Sequence, residues 1–242
     1  MCGRYAITLP PEAVRAFFAF VENPNFPPRY NIAPTQPIPV VIAEPHSKGV
    51  ARHFQLMRWG FLPGFVKDPK TFPLLINARA ETLAEKASFR AALKRRRCLV
   101  IADAYYQWRK DEAGGPRRGA LRRPFLVRPV DHSPMGFAGL HETYCDATGG
   151  EIDTALIITT AANALLRKVH DRMPAIVDPK NFAAWLDVDG VDAAKAVALL
   201  APTPDSKLEL IEVGLAVNRV ANDDESLQKA VGQPIRSAVG VS

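Results

Sequence analysis

Cysteine is scarce in this sequence: Cys2, Cys98 and Cys145 are the only three among 242 residues. An odd number at irregular spacing argues against a disulfide framework. His141 and Cys145 lie four apart while Cys98, His132 and His170 are scattered, so the pair-of-pairs spacing of a zinc site is missing as well. No apolar run approaches the ~20 residues needed to cross a bilayer. The opening MCGRYAITLPPEAV lacks the basic start and apolar stretch of a secretory leader. Regular βαβ alternation, internal repeats and a long dividing linker are also absent. These absences predict a cytoplasmic protein with no membrane partner and no metal; it is expected to be a monomer and to need no cofactor.

What remains is an ordinary globular composition, 48% apolar, in a chain long enough to bury a large core. Apolar and β-branched runs bounded by turn residues predict strands at Tyr5–Ile7, Pro39–Ala43, Ala51–Trp59, Cys98–Asp103, Tyr105–Arg109, Phe125–Arg128, Met135–Leu140, Thr154–Thr160 and Lys207–Val213. Pro10 and Pro11 ahead of Glu12 start a helix that runs on to Phe20, with Val14, Phe17 and Phe18 on its apolar face. Further helices are predicted at Ser88–Lys94, Ala162–Lys168, Pro179–Leu186, Asp192–Leu200 and Ser226–Val231. Asn23 to Pro39 reads as an irregular loop, and residues 110–119 as a long hairpin loop. The pattern predicts one α+β domain on a curved, barrel-like, mostly antiparallel sheet with peripheral helices, its core at about 2–225 and a tail at 226–242.

The formal charge of +6 is unevenly placed: Ala87 to Val130 holds twelve Lys or Arg against Asp103, Asp111 and Glu112. Such a concentration suits a polyanion, although a solvated basic surface would read the same way. The Met-Cys start carries chemistry of its own. Removal of Met1 would leave an amine and a thiol on adjacent carbons of Cys2, with reference pKa values of ~7.7–8.0 and ~8.5, both partly deprotonated near neutrality. Such a 1,2-aminothiol adds to an aldehyde as an imine, and the sulfur then closes a thiazolidine ring. Gly3 allows close backbone approach, Arg4 brings a positive charge, and Tyr5–Ile7 ties the terminus into a sheet. Class II glutamine amidotransferases also use a leading cysteine. They commonly rely on an Asn-Gly pair, and this sequence has none.

Several segments in order decide between these chemistries: Met1-Cys-Gly-Arg-Tyr, Tyr30-Asn-Ile-Ala-Pro-Thr-Gln, Met57-Arg-Trp-Gly-Phe-Leu-Pro, Ile76-Asn-Ala-Arg-Ala-Glu-Thr, Arg97-Cys-Leu-Val, Phe137-Ala-Gly-Leu, Thr159-Thr-Ala-Ala-Asn and His170-Asp-Arg-Met-Pro, with a weaker echo at Val217-Asn-Arg-Val-Ala-Asn-Asp-Asp. The set resembles the SRAP family of SOS-response-associated peptidases, or abasic-site processing proteins. The resemblance implies single-stranded DNA carrying abasic sites as partner and Cys2 as nucleophile in a thiazolidine crosslink that shields the lesion. It implies Asn77 as an active-site amide near the opened sugar and His170 as proton carrier. Arg79 is implied to hold a phosphate through its guanidinium fork, with Arg4 and Arg172 as further phosphate contacts. Trp59, Phe65 and Trp108 are candidates for stacking on bases, with core packing as the alternative. Phe65 stands where the family often has Trp.

One segment departs from the family pattern: Cys98-Leu-Val-Ile-Ala-Asp-Ala-Tyr-Tyr-Gln-Trp has Ile101 for Pro, Ala104 for Gly and Gln107 for Glu. The family Glu is taken as acid and base, whereas Gln107 hydrogen-bonds without a titratable proton. The resemblance also carries peptidase and lyase activity, and Gln107 argues against self-removal of Met1. Two expectations follow: slow crosslinking by Cys2, or a non-catalytic relative that binds single-stranded or abasic DNA.

Overall fold

The computed structural model describes residues 2–109 and 123–237. In chain order its elements are β1 (Tyr5–Ile7), α1 (Pro11–Phe18), β2 (Arg29–Ile32), β3 (Pro37–Ala43), β4 (Arg52–Trp59), β5 (Asn77–Arg79), α2 (Ala87–Arg95), β6 (Arg97–Ala102), β7 (Ala104–Arg109), β8 (Arg123–Pro129), β9 (Met135–Cys145), β10 (Glu151–Ala161), α3 (Ala164–Arg167), β11 (Arg172–Pro174), β12 (Ile176–Val177), α4 (Phe182–Leu186), α5 (Ala193–Ala198), β13 (Leu208–Glu212) and β14 (Ile235–Arg236).

Strands β4, β3, β6, β9 and β10 are hydrogen-bonded in that order. β10 returns to β4 in parallel at Thr154↔Arg58 and Ala155↔Trp59, which closes a five-stranded barrel. Closure removes the exposed edges that an open sheet would present. β5 joins β10 in parallel and β11 joins it antiparallel. A second sheet, antiparallel throughout, runs β14-β13-β8-β7-β1-β2. Alternation along its strands sorts side chains to two faces. Tyr5, Ile7 and Tyr105 belong to the main core, whereas Ala6, Ala104 and Tyr106 pack with Leu126, Ile211, Val217 and Leu227 beyond the sheet. The architecture is the expected α+β domain on a barrel-like sheet.

Local chemistry accounts for the element ends. Pro10 and Pro11 with Glu12 in the first turn start α1, which buries Val14 and Phe18 and stops at Ala19 in the left-handed region (φ 55°). Asp103 sits at the β6–β7 corner. Its Oδ2 accepts from the amides of Thr8 and Leu9 and from the Thr8 hydroxyl, anchoring the end of β1. Two expectations need correction. Asn23 to Pro39 contains β2 and the start of β3, because the Asp223 carboxylate accepts from the Tyr30 and Asn31 amides and fixes the chain there. Ser226–Val231 is no α-helix: a 3-10 turn spans Glu225–Gln228, capped by the Asp224 side chain. The predicted loop at 110–119 lies outside the described residues, although β7 and β8 on either side of it pair antiparallel as a hairpin requires.

Part of the basic stretch is structural. Arg97 is 2% exposed and donates to the carbonyls of Leu93, Trp185, Asp187 and Val191 at 2.6–3.1 Å. Arg128 pairs at 2.8 Å with Glu209, whose side chain is fully buried, and Arg96 pairs with Glu142. Arg90, Lys94 and Arg95 remain exposed on α2. Replacing Arg97 by Met keeps the volume but leaves buried carbonyls unpaired. The expected loss is about 3 kcal/mol in urea unfolding at an unchanged m-value, and a loss below ~1 kcal/mol would contradict the role assigned to Arg97.

Candidate functional site

The second residue of the chain is inside the protein. Cys2 is fully buried, and its carbonyl accepts a 3.0 Å hydrogen bond from Asn77 Nδ2. The same Nδ2 lies 2.7 Å from the Ile76 carbonyl, which also takes Trp59 Nε1 at 2.9 Å and the Ile157 amide at 3.1 Å. Asn77 is therefore fixed from two sides, by strand pairing of β5 with β10 and by an indole beneath it. Its Oδ1 is buried and has no hydrogen-bond partner among the described residues. Cys2 Sγ lies 3.8 Å from the Arg4 carbonyl. Burial pushes the thiol up to about 12, so the sulfur is protonated at neutral pH. This corrects the expectation of a partly ionised thiol, since a sequence gives no sign of how deeply the residue is enclosed.

A second group of candidates is joined through one backbone unit. The Arg172 carbonyl accepts from Gln107 Nε2 at 3.2 Å, and the Arg172 amide donates to His170 Nδ1 at 2.9 Å. His170 Nδ1 is also 2.9 Å from the carboxylate of Asp171, which is exposed. The two contacts make opposite demands on Nδ1. It accepts from the amide when the ring is neutral, and donates to Asp171 when the ring is protonated. Gln107 is 1% exposed on the barrel side of β7. The two groups meet at Thr159, which pairs with Arg79 across β5–β10 and accepts from Arg172 through its carbonyl at 2.6 Å.

The structure divides the predicted DNA contacts. Arg79 is exposed at the end of β5, and its side chain makes no hydrogen bond or ion pair to any described residue. Arg172 is corrected. Its guanidinium forms a bidentate pair with Glu81 at 2.7 and 2.9 Å and its side chain is 14% exposed, so it braces the site from within. This pair also holds the Glu81 carboxyl below its usual range, Arg172 first and Arg79 more weakly. Arg4 is only half available. Its Nη1 donates to Asn31 Oδ1 at 2.9 Å and to the Val217 carbonyl at 2.8 Å, so the guanidinium staples β1 to the segment Val217–Asp224. Trp59 is corrected from base stacker to core residue. It is fully buried, edge-on to Tyr5 at 5.4 Å. Phe65 is 61% exposed in the loop closed by the Phe61↔Leu75 bridge, just before Asn77. Trp108 is half-buried and donates to Asn218 Oδ1 at 2.7 Å.

Glu81 and Thr159 were missed as site residues although both stand inside motifs legible in the sequence. Only the geometry reveals that they hold Arg172. Among the described residues, no group of three or more His, Cys, Asp or Glu is placed to hold a metal ion, and no helix is long and apolar enough to cross a membrane.

The family model for the SOS response associated peptidase (SRAP) matches residues 1–220. Among curated relatives, the abasic site processing protein YoqW of Bacillus subtilis is 33% identical over 230 residues, covering 94% of this chain and 98% of its own. The abasic site processing protein YobE of the same organism is 32% identical, covering 90% and 96%. A solved structure of a Bacteroides thetaiotaomicron protein superposes with a TM-score of 0.78 at 23% identity, covering 95% of this chain and 99% of that one, which speaks for the fold.

The burial of two of the three cysteines has a measurable consequence. In folded protein that retains Met1, iodoacetamide at pH 7 should modify the exposed Cys145 and leave Cys2 and Cys98 intact until the protein is unfolded. Peptide mass mapping reads this directly. Labelling of Cys2 as fast as a free thiol would contradict its enclosure.

Proposed function

The chain belongs to the SOS response associated peptidase family, and on that premise we propose that it captures abasic sites in single-stranded DNA covalently through Cys2. The observation that carries this reading is the Asn77 hydrogen bond to the Cys2 carbonyl, because it fixes the chain's second residue against β5, the strand whose Arg79 pairs with Thr159, the residue that also binds Arg172. After Met1 is removed, the α-amine of Cys2 attacks C1′ of the ring-opened deoxyribose. The carbinolamine loses water to give an imine, and the Cys2 sulfur adds to the same carbon to close a thiazolidine. The amine leads, since it has a reference pKa of ~7.7–8.0 while the buried thiol holds its proton at neutral pH. His170, with a donor and an acceptor both at Nδ1, moves protons for the amine step.

The DNA is held outside this interior. Arg79 offers an exposed guanidinium for a phosphate, and Phe65 offers an exposed ring for a base flanking the lesion. Arg172, Glu81 and Trp59 serve by positioning. Peptidase action on Met1 is not part of this proposal, because Gln107 brings no titratable proton. A non-covalent single-strand binder is the second reading, favoured by the full burial of the Cys2 thiol.

Incubation with an abasic oligonucleotide separates the two readings. Protein verified to begin at Cys2 should give a heat-stable, slowly migrating band that Cys2→Ala abolishes. A band of equal yield from Cys2→Ala, or none from the verified protein, would overturn the covalent reading. In the same assay Gln107→Glu should raise the rate by roughly 10²-fold or more. A carboxyl facing the Arg172 carbonyl is held in its protonated form there and can act as an acid. An unchanged rate would show that position 107 does not handle the proton.

A further inference from the structure

Between Lys86 and Ala102 the sequence contains six Lys or Arg and no Asp or Glu. Arg96 and Arg97 are accounted for, by Glu142 and by buried carbonyls. Lys86, Arg90 and Lys94 are not. All three are exposed, and their side chains make no hydrogen bond or ion pair to any described residue. Lys86 is the N-cap residue of α2, and Arg90 and Lys94 follow at intervals of four. The three therefore stand on one flank of the helix, about 6 Å apart along its axis. The exposed residues beside them, Ala87 and Ala91, are short and leave the stripe uncovered.

Helix energetics run against this placement. Like charges four apart repel, and a cation at the N-terminal end opposes the helix dipole. The first turn of α2 carries no acid, and no side chain caps it. A helix selected for stability alone would hold Asp or Glu at such places. Three uncompensated cations in a row suit an external polyanion, and each 6 Å step spans about two phosphates of a stacked strand at about 3.4 Å apiece.

The stripe also starts beside the site. β5 ends at Arg79, a 3-10 turn spans Ala80–Thr82, and the Lys86 amide donates to the Thr82 carbonyl at 3.3 Å. Phe89 of α2 meets Phe61 at 6.1 Å, at the base of the loop that carries Phe65. α2 is thus tied to both segments that present an exposed DNA-binding candidate.

We propose that Lys86, Arg90 and Lys94 form a phosphate track that leads single-stranded DNA away from the lesion site, continuing from Arg79 along α2. This rests on the DNA-binding reading given above and adds to it the path of the flanking strand. The track addresses the backbone and not the bases, since phosphate contacts position a strand without reading its sequence. It lies outside the Cys2 chemistry, so its loss weakens binding and not the bond-forming step.

The test is fluorescence anisotropy of the full-length protein with strands carrying a tetrahydrofuran abasic analogue, which has no aldehyde and cannot be crosslinked. Wild type is compared with the neutral variant Lys86→Gln/Arg90→Gln/Lys94→Gln and the charge-keeping variant Lys86→Arg/Arg90→Lys/Lys94→Arg. On a strand of about 16 nucleotides, the neutral variant should lose about 2 units from the slope of log affinity against log salt, because each single-strand phosphate contact contributes about 0.7. At about 0.1 M salt that is roughly 10²-fold in affinity. The charge-keeping variant should match wild type. On a strand of about 4 nucleotides centred on the analogue, all three proteins should bind alike. The Tm of the neutral variant should hold or rise, because repulsion within α2 is relieved. An unchanged slope in the neutral variant would overturn the track. Equal losses on both strand lengths, or a loss shared by the charge-keeping variant, would mark a general disturbance of the fold and overturn it too. Failure of wild type to bind the long strand would remove the DNA-binding reading and the track with it, whereas crosslinking to a true abasic aldehyde tests the Cys2 chemistry separately.

Discussion

The amide of Asn77 and the carbonyl of Cys2 form the contact on which the rest of this molecule is arranged. A chain terminus ordinarily frays, because ordering it costs entropy with few contacts to offset the loss. Here the opening residues lie between two sheets. β1 pairs with β7 on one side and β2 on the other, Asp103 anchors its far end, and Arg4 staples it to the segment at Val217. Asn77 in turn depends on the barrel, since β5 pairs with β10 and Trp59 donates to the carbonyl of Ile76. Closing the barrel and holding the terminus are therefore one structural problem. The barrel supplies the wall, and Cys2 is set against it.

Charge is handled in the same economical way. The guanidinium of Arg97 is taken up by buried carbonyls, that of Arg128 by the buried Glu209 carboxylate, and that of Arg172 by the half-exposed Glu81 and the carbonyl of Thr159. What faces solvent beside the site is Arg79, only two residues from Asn77 on a strand too short to move independently of it. A phosphate bound there would be registered against the nucleophile by the backbone of β5. The contrast is physical: the paired cations fix geometry, and Arg79 stays open to solvent.

Much of this was legible in the sequence. Strands β3, β4, β6 to β10 and β13 announced themselves through apolar alternation and turn residues, because each carries enough residues to display a period. β5, β11, β12 and β14 have two or three residues each and were invisible, since pairing rather than pattern makes them. The order of motifs brought out Cys2, Asn77, Arg79, Gln107 and His170, but not which arginine would be exposed. Arg79 and Arg172 look alike in sequence, and only the Glu81 pair distinguishes them. Trp59 and Phe65 were both candidates for stacking, with Trp108 a third. The face of β4 that turns to the core decided between them, with Met57 and Trp59 inward and Leu56 outward. The burial of the Cys2 thiol depends on packing across two sheets, which local pattern does not encode.

The central claim is that an amine and a sulfur of one residue both bond to the same sugar carbon. Nuclease digestion of the crosslinked product followed by peptide mass mapping reads it most directly. The account predicts a deoxyribose remnant on the peptide that begins at Cys2, with the sulfur unavailable to alkylation after unfolding and the linkage unaffected by borohydride. A remnant on a lysine, or on Cys2 with its thiol still open to alkylation, would contradict it.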